Sequence, residues 1–271
     1  MRALTPGITE ARKGGNMAGP MSSVPPVKTW ASDQECECYR ELCELSKSSP
    51  IPDQEVLANL GLFLVRVSLG RMLFMHDLYR KILGTHGVIL EFGVRWGQNL
   101  ALFTTLRNLY EPHNQTRKII GFDTFGGFPA VSPEDGNSAS AQVGAYGVTP
   151  AYEDYLSKVL ATHERLAPRS HIRKFELVKG DVVETLPAYL ERHPETIISL
   201  AYFDLDLYEP TRRCLEMIRP HLARNSIVGF DELVSEEFPG ETQALREAWG
   251  LSDFPIVRDP ISSQQSYLVV G

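Results

Sequence analysis

Two short clusters of acids carry the clearest chemical signal in this chain. Asp204 and Asp206 lie in Tyr202-Phe203-Asp204-Leu205-Asp206-Leu207-Tyr208, and Asp231 and Glu232 close Gly229-Phe230-Asp231-Glu232. Each cluster follows an apolar run that reads as a buried strand, and open α/β sheets bind ligands beyond the carboxyl ends of their strands. Carboxylates gathered there repel one another unless a proton or a cation offsets the charge. An oxygen-liganded divalent ion, magnesium above all, is the economical partner. The competing account makes these acids helix caps and first-turn residues favoured by the helix dipole. Capping alone does not call for two acids after each of two strands.

A second signal is Glu91-Phe92-Gly93-Val94-Arg95-Trp96-Gly97, where the glycines let backbone approach a ligand at the start of a helix. The spacing departs from the G-x-G-x-x-G of dinucleotide sites, so a nicotinamide or flavin loses its main support. E-x-G-x-x-x-G suits S-adenosylmethionine. Asp123, after Gly121-Phe122, is placed to accept hydrogen bonds from ribose hydroxyls. Gly180 and Asp181 are placed beside an adenine, with Phe122 and Phe125 as candidate apolar walls.

These residues need a scaffold, and the chain spells an alternating one. Strands are expected at 88–92, 118–122, 174–179, 197–204, 226–231, 254–257 and 266–270. Helices are expected at 98–109, 182–192, 211–222 and 242–249. The order implies βαβ units and a doubly wound, mostly parallel sheet of about seven strands. Ahead of it, a short helix from Asp33 and helical spacing from Asp53 to Leu83 form an N-terminal helical region, 30–86, before the catalytic domain at 87–271. Residues 1–29, rich in Gly, Pro, Ser and Thr, read as a mobile tail. A stretch with little periodicity at about 129–152 is too long for an ordinary connection and reads as an active-site lid.

Composition narrows the classes. Of 271 residues, 27 are Lys or Arg and 34 are Asp or Glu, a net charge of −7, which speaks against nucleic acid as a partner. The apolar run from Leu62 to Met75 is broken by Arg66 and Arg71, so no membrane span is expected. No signal-like apolar stretch precedes residue 30, which implies a cytoplasmic location. Cys36, Cys38 and Cys43 crowd one segment without a nearby histidine and read, with Cys214, as reduced structural thiols.

With those residues in place, the chain resembles the class I S-adenosylmethionine-dependent methyltransferases, and within them the macrocin O-methyltransferase (TylF-like) family, which methylates sugar hydroxyls in bacterial antibiotic biosynthesis. The likeness runs from about 87 to 251. It rests on Glu91 to Gly97, on Phe122-Asp123-Thr124-Phe125-Gly126-Gly127-Phe128-Pro129, similar to the family's D-S-F-x-G-x-P, and on Asp204-Leu205-Asp206-Leu207-Tyr208-Glu209-Pro210-Thr211, similar to D-x-D-x-Y-x-x-T. The resemblance implies a Rossmann-like methyltransferase fold. It places Glu91, Gly93, Gly97, Asp123, Thr124, Phe125, Gly180, Asp181 and Asp204 around the donor. It assigns Asp204, Asp231 and Glu232 to Mg2+ and Asp206 to proton removal. The family usually shows Asp-Asp where this chain has Asp231-Glu232, which makes Glu232 the departure. The Gly-Phe-Asp-Glu strand end also resembles the deoxysugar O-methyltransferases of enediyne pathways. A cephalosporin hydroxylase and rhamnosyl methyltransferase group shares similar metal-site carboxylates with a different acceptor.

The implied reaction is in-line displacement from a sulfonium, with a cation and a nearby Asp deprotonating a poorly acidic hydroxyl. His163 and His221 are rival bases, for which structural or capping roles are the competing reading. Tyr146, Tyr152 and Tyr155 either stack on a ligand or pack the lid, and Trp96 beside the donor loop is open in the same way. The helices before Gly84 either join the core or, through Leu62 to Val65, form a homo-oligomer contact. The alternative to an enzyme is a silent nucleotide- or donor-binding or assembly protein that kept the fold, which has no reason to keep a costly carboxylate cluster. The acceptor is a nucleotide sugar or a finished glycoside.

Overall fold

A computed structural model describes residues 32–261 and 264–271, so the expected tail at 1–29 lies outside the described residues. In chain order the elements are α1 (Asp33–Lys47), α2 (Asp53–Val56), a 3-10 helix (Leu57–Phe63), α3 (Arg66–Lys81), β1 (Val88–Phe92), α4 (Gln98–Tyr110), β2 (Ile119–Asp123), α5 (Tyr152–Arg165), β3 (Phe175–Lys179), α6 (Val182–Arg192), β4 (Ile198–Phe203), α7 (Tyr208–Ile218), β5 (Leu222–Phe230), α8 (Gly240–Ala248), β6 (Ile256–Arg258) and β7 (Ser266–Val269).

The strands form one seven-stranded sheet in the order β3-β2-β1-β4-β5-β7-β6. β1 to β5 run parallel and β7 lies antiparallel to both β5 and β6. β1 and β4 are buried along their whole length, as central parallel strands covered on both faces must be. Alternate side chains feed two cores. Leu90, Phe92, Ile120, Phe203 and Phe230 pack with α6, α7 and α8, while Ile89, Ile119, Leu200, Tyr202 and Ile227 pack with α3, α4 and α5. The register pairs Phe92 with both Phe122 and Phe203, and Phe203 with Phe230. Gly93, Asp123, Asp204 and Asp231, each the next residue, therefore leave the sheet at one level around the point where strand order reverses.

The helical spacing from Asp53 to Leu83 is carried by separate helices. Leu64 and Val65 are extended, and Asp53–Phe63 meets Arg66–Lys81 at 94°. Of the two readings of these helices, joining the core holds for α3 and fails ahead of it, since α1, α2 and the 3-10 helix bury no residue and Leu57, Leu60 and Leu62 are exposed. Helical periodicity reports a potential face, and no surface of the body meets it here. The other miss is α5, unmarked because its N-cap is Ala151 in a left-handed conformation with no side-chain cap. No single helix among the described residues is long and apolar enough to cross a membrane. The cysteines are free, with Cys214 buried.

α3 is fastened to the sheet at its C-terminal end. Buried Arg117 donates to Ile82 O (3.0 Å), Gly87 O (2.7 Å), Ser199 Oγ (2.7 Å) and Glu111 Oε2 (3.0 Å), and Tyr79 of α3 donates to the same Glu111 oxygen at 2.6 Å. Replacing Arg117 with Met leaves Glu111 and several carbonyls facing a closed, unpaired space, which costs about 3–5 kcal/mol when one partner of a buried pair is removed. Urea unfolding of Arg117→Met should show a loss of that order; a change under about 1 kcal/mol would mean that the network does not secure α3.

Candidate active site

The acids after β4 and β5 meet across a guanidinium. Arg71, one and a half turns into α3, donates through Nη1 to Asp204 Oδ2 at 3.0 Å and through Nη2 to Asp231 Oδ2 at 2.5 Å. The other oxygen of Asp231, Oδ1, accepts from Tyr202 Oη at 2.5 Å and Gln265 Nε2 at 2.7 Å. Sequence reasoning treated Arg71 only as a break in an apolar run. Its signal was an arginine set among Leu69, Gly70, Met72 and Leu73 in a helix that buries its face. A further carboxylate also escaped notice. Glu241 of α8 is fully buried, with Oε1 accepting from Leu205 N at 3.2 Å and Oε2 without a partner.

Burial and mutual repulsion raise the proton affinity of this group. Asp204 is pushed up to about 7, by burial first and then by Asp231, with Arg71 opposing. Asp206 is pushed well above the usual carboxylate range by burial and by Asp204, Glu232 and Glu241. Glu232 and Glu241 move the same way, for burial and for their neighbours Asp231 and Asp204 respectively. Burial works against the charge of Arg71, but Asp231 and Asp204 outweigh it and hold the guanidinium more firmly protonated than usual. Asp206 occupies the left-handed region, φ 62°, directly before the first turn of α7.

The glycine loop is tied to these acids through its backbone. Gly93 has φ 85°, and a Cβ there would fall onto the Asp204 carbonyl oxygen. Its missing side chain thus lets the β1 loop nest against the β4 loop, a demand the sequence reading attributed to the ligand alone. Gly97, φ 76°, has Leu156 of α5 where its Cβ would be. Asp123 organises the same loop: Oδ2 accepts from Val94 N and Arg95 N, both at 2.7 Å, and Oδ1 from Phe125 N at 2.5 Å. Asp181 caps α6, its Oδ1 accepting from Val183 N at 2.9 Å. Thr124 Oγ1 donates to Gly127 O at 2.7 Å and closes the turn.

Together these elements enclose a cavity of about 420 Å³. Its walls bring together Gly93, Gly97, Asp123, Thr124, Gly180, Asp181, Asp204, Asp206, Asp231 and Glu232, with Arg71, Phe122 and Tyr146. Two expected donor contacts stand behind the wall. Phe125 packs in the α3-side core, and Glu91 is buried with Oε1 accepting from Asn99 Nδ2 at 2.9 Å and Oε2 unpartnered. Neither histidine lines the cavity: His163 lies near Thr105 Oγ1 at 3.5 Å and His221 Nδ1 lies 3.1 Å from Thr196 O.

The stretch at 129–152 is pinned to the acids rather than free of them. Asp135 Oδ1 accepts from Tyr208 N at 2.5 Å, at the start of α7, while its Oδ2 accepts from Ser132 N at 2.6 Å. Tyr146 packs on Phe128 and Phe238, as the packing reading expects, and its side chain also lines the cavity. Tyr152 serves packing, donating to Trp96 O at 3.0 Å and meeting the Trp96 ring edge-on.

The donor set next to Arg71 is all carboxylate oxygen, the chemistry that hard divalent ions take, and buried Glu241 Oε2 behind it has no hydrogen-bond partner. Among the described residues no three acids, histidines or cysteines are gathered closely enough to enclose an ion as they stand. Arg71 holds the two oxygens that would begin such a site.

No family model and no curated protein sequence matches the chain. Solved structures do. CalS11, a calicheamicin methyltransferase, is 46% identical with a TM-score of 0.88, over 90% of this chain and 95% of that one. The apo structure of CalS11, described as a TDP-rhamnose 3'-O-methyltransferase of calicheamicin biosynthesis, is 43% identical with a TM-score of 0.80, over 90% and 97%. The O-methyltransferase NovP, 19% identical with a TM-score of 0.57 over 74% and 79%, shares the fold.

Two outcomes follow from this geometry. Gly93→Ala forces backbone against backbone and should empty the cavity of its function: donor binding by calorimetry should fall at least tenfold, and unchanged affinity would show that the loops move apart freely. The acids also set a pH trend. A carboxyl raised in the folded state binds its proton more tightly there than in the unfolded chain, so stability is fullest below about pH 4 and declines as pH rises through about 7 for Asp204. In chelator the melting temperature should fall between pH 5.5 and 8, and Asp204→Asn should flatten that fall.

Proposed function

The chain belongs to the CalS11 family of S-adenosylmethionine-dependent O-methyltransferases, and from that premise we propose that its cavity transfers a methyl group to a sugar hydroxyl, on a nucleotide deoxysugar or a glycoside, in bacterial antibiotic biosynthesis. The observation that carries this reading is one cavity lined on one side by the Gly93–Gly97 loop, Asp123 and Asp181 and on the other by Asp204, Asp206, Asp231 and Glu232. Bound there, S-adenosylmethionine supplies a methyl group on a sulfonium centre, released as a neutral thioether on in-line attack.

The residues divide the work. Six acids line the cavity against Arg71 and Arg95, a field that favours a cationic donor over a neutral product. Asp123 spends three hydrogen bonds on the loop and keeps one lone-pair direction of Oδ1 for a ribose hydroxyl. Asp181 keeps Oδ2 for the base, and Glu91, behind the wall, braces the loop through Asn99. Asp206 takes the acceptor proton, because a buried carboxylate among like charges is a stronger base than one in water. Magnesium, held by Asp204, Asp231 and Glu232, would lower the pKa of a hydroxyl bound beside them. Arg95 has its guanidinium 4.9 Å from the Tyr146 ring centroid at the cavity wall and suits the diphosphate of a nucleotide sugar. A homo-oligomer through the exposed N-terminal helices is part of the same reading.

Mass spectrometry of nucleoside-diphosphate deoxysugars and free glycosides incubated with labelled donor tests the proposal directly, and labelling of none of them would end it. Asp206→Asn should lower turnover by about 10² to 10⁴ with donor affinity unchanged; near-normal turnover at every pH would remove Asp206 from the mechanism. Arg95→Ala should raise KM for nucleotide sugars and not for glycosides, and an equal rise for both would assign it to general packing.

A further inference from the structure

The carboxylates Asp204 and Asp231 already share a cation, the Arg71 guanidinium. Both are set by backbone, Asp204 N donating to Phe92 O at 2.8 Å and Asp231 N to Phe203 O at 2.9 Å, so neither can retreat. Tyr202 and Gln265 hold Oδ1 of Asp231 at 2.5 and 2.7 Å and fix the plane of the carboxylate. That leaves Oδ2 as the atom able to meet a cation in the cavity, and Oδ2 is the atom on which Arg71 sits. The same guanidinium takes Oδ2 of Asp204. A divalent ion shared by these two residues needs Oδ2 of Asp231, the oxygen that Arg71 occupies, and meets the Arg71 charge beside Asp204.

We propose that Arg71 is a tethered counter-ion that holds Asp204 and Asp231 together until a divalent cation displaces it, so that metal occupancy is coupled to α3. This rests on the reading that these carboxylates take magnesium. Arg71 has a way out. Its side chain is about a third exposed, at 30%, on the cavity side. The end of α3 that carries it begins at Val65 without a side-chain cap, while the far end is clamped through Ile82 and Tyr79. The segment leading into it buries nothing. A helix held at one end and loose at the other lets the Arg71 turn yield while the core contacts of Phe74, Met75 and Leu78 stay put. The energetic logic is a population tax: a site competent only when Arg71 is withdrawn binds metal with an affinity reduced by the fraction of time it is withdrawn. Arg71 also explains how the folded apo site tolerates its acids, since a buried carboxylate pair without any cation is strongly destabilising.

The test is a magnesium titration by calorimetry, without donor or acceptor, on the full chain, Arg71→Met and Arg71→Lys. Arg71→Met should bind magnesium about tenfold or more tightly than the unchanged protein, and Arg71→Lys, whose ammonium cannot span both oxygens, should fall between. Hydrogen exchange on the unchanged protein gives a second measurement should Arg71→Met fail to fold: magnesium should speed exchange around Gly70 to Leu73 and leave Tyr79 to Ile82 as it was. Equal or weaker magnesium binding by Arg71→Met, or magnesium binding with no change in exchange around Arg71, overturns the proposal. If neither protein binds magnesium while labelled methyl still reaches a sugar, the counter-ion proposal and the metal assignment fall together and the methyltransferase reading stands.

Discussion

Negative charge at the ends of β4 and β5 is the constraint on which the rest of this structure turns. Parallel register delivers Asp204 and Asp231 side by side, Asp206 and Glu232 follow two residues and one residue later, and α8 adds buried Glu241. Nothing in a β-sheet neutralises such a group, because strand dipoles nearly cancel. Burial and mutual repulsion raise the proton affinity of Asp204, Asp206, Glu232 and Glu241, and the chain answers with a guanidinium brought in from α3. α3 packs on the sheet through Phe74, Met75, Leu78 and Tyr79, and that packing delivers the guanidinium. Its anchor, the Arg117 network, lies at the opposite end of the strands from the site it serves.

The same loops couple the two halves of the cavity mechanically. The backbone of Gly93 lies against the carbonyl of Asp204, so the β1 loop cannot shift without moving the β4 loop. Asp123 fixes the β1 loop through two amides and its own turn through a third. Asp135 reaches from the long connection to the first amide of α7. A displacement reaction needs donor carbon and acceptor oxygen in line to a fraction of an ångström. Loops that share backbone contacts supply that rigidity better than side chains reaching from separate elements. The long connection is therefore less a free lid than a fourth wall, with Phe128, Leu207 and Phe238 forming a small core beneath Tyr146.

Much of this was legible in the sequence because it is local. Strand positions follow from apolar runs bounded by glycine and acids, and β1 and α6 fall where periodicity put them. The strand-end acids, the glycine pair and Asp123 announced a cavity at the strand ends, since residue type and a strand's end are both sequence properties. What tertiary structure alone decided is which distant residues share that cavity. Arg71 lies 133 positions from Asp204 and 160 from Asp231, and no spacing rule connects a helix face to a strand end across the chain. Asp135 and Glu241 came beside the site for the same reason. The N-terminal helices show the converse: their apolar periodicity promised burial, but periodicity defines only a face, and whether another surface meets it is settled by the packing of the whole chain.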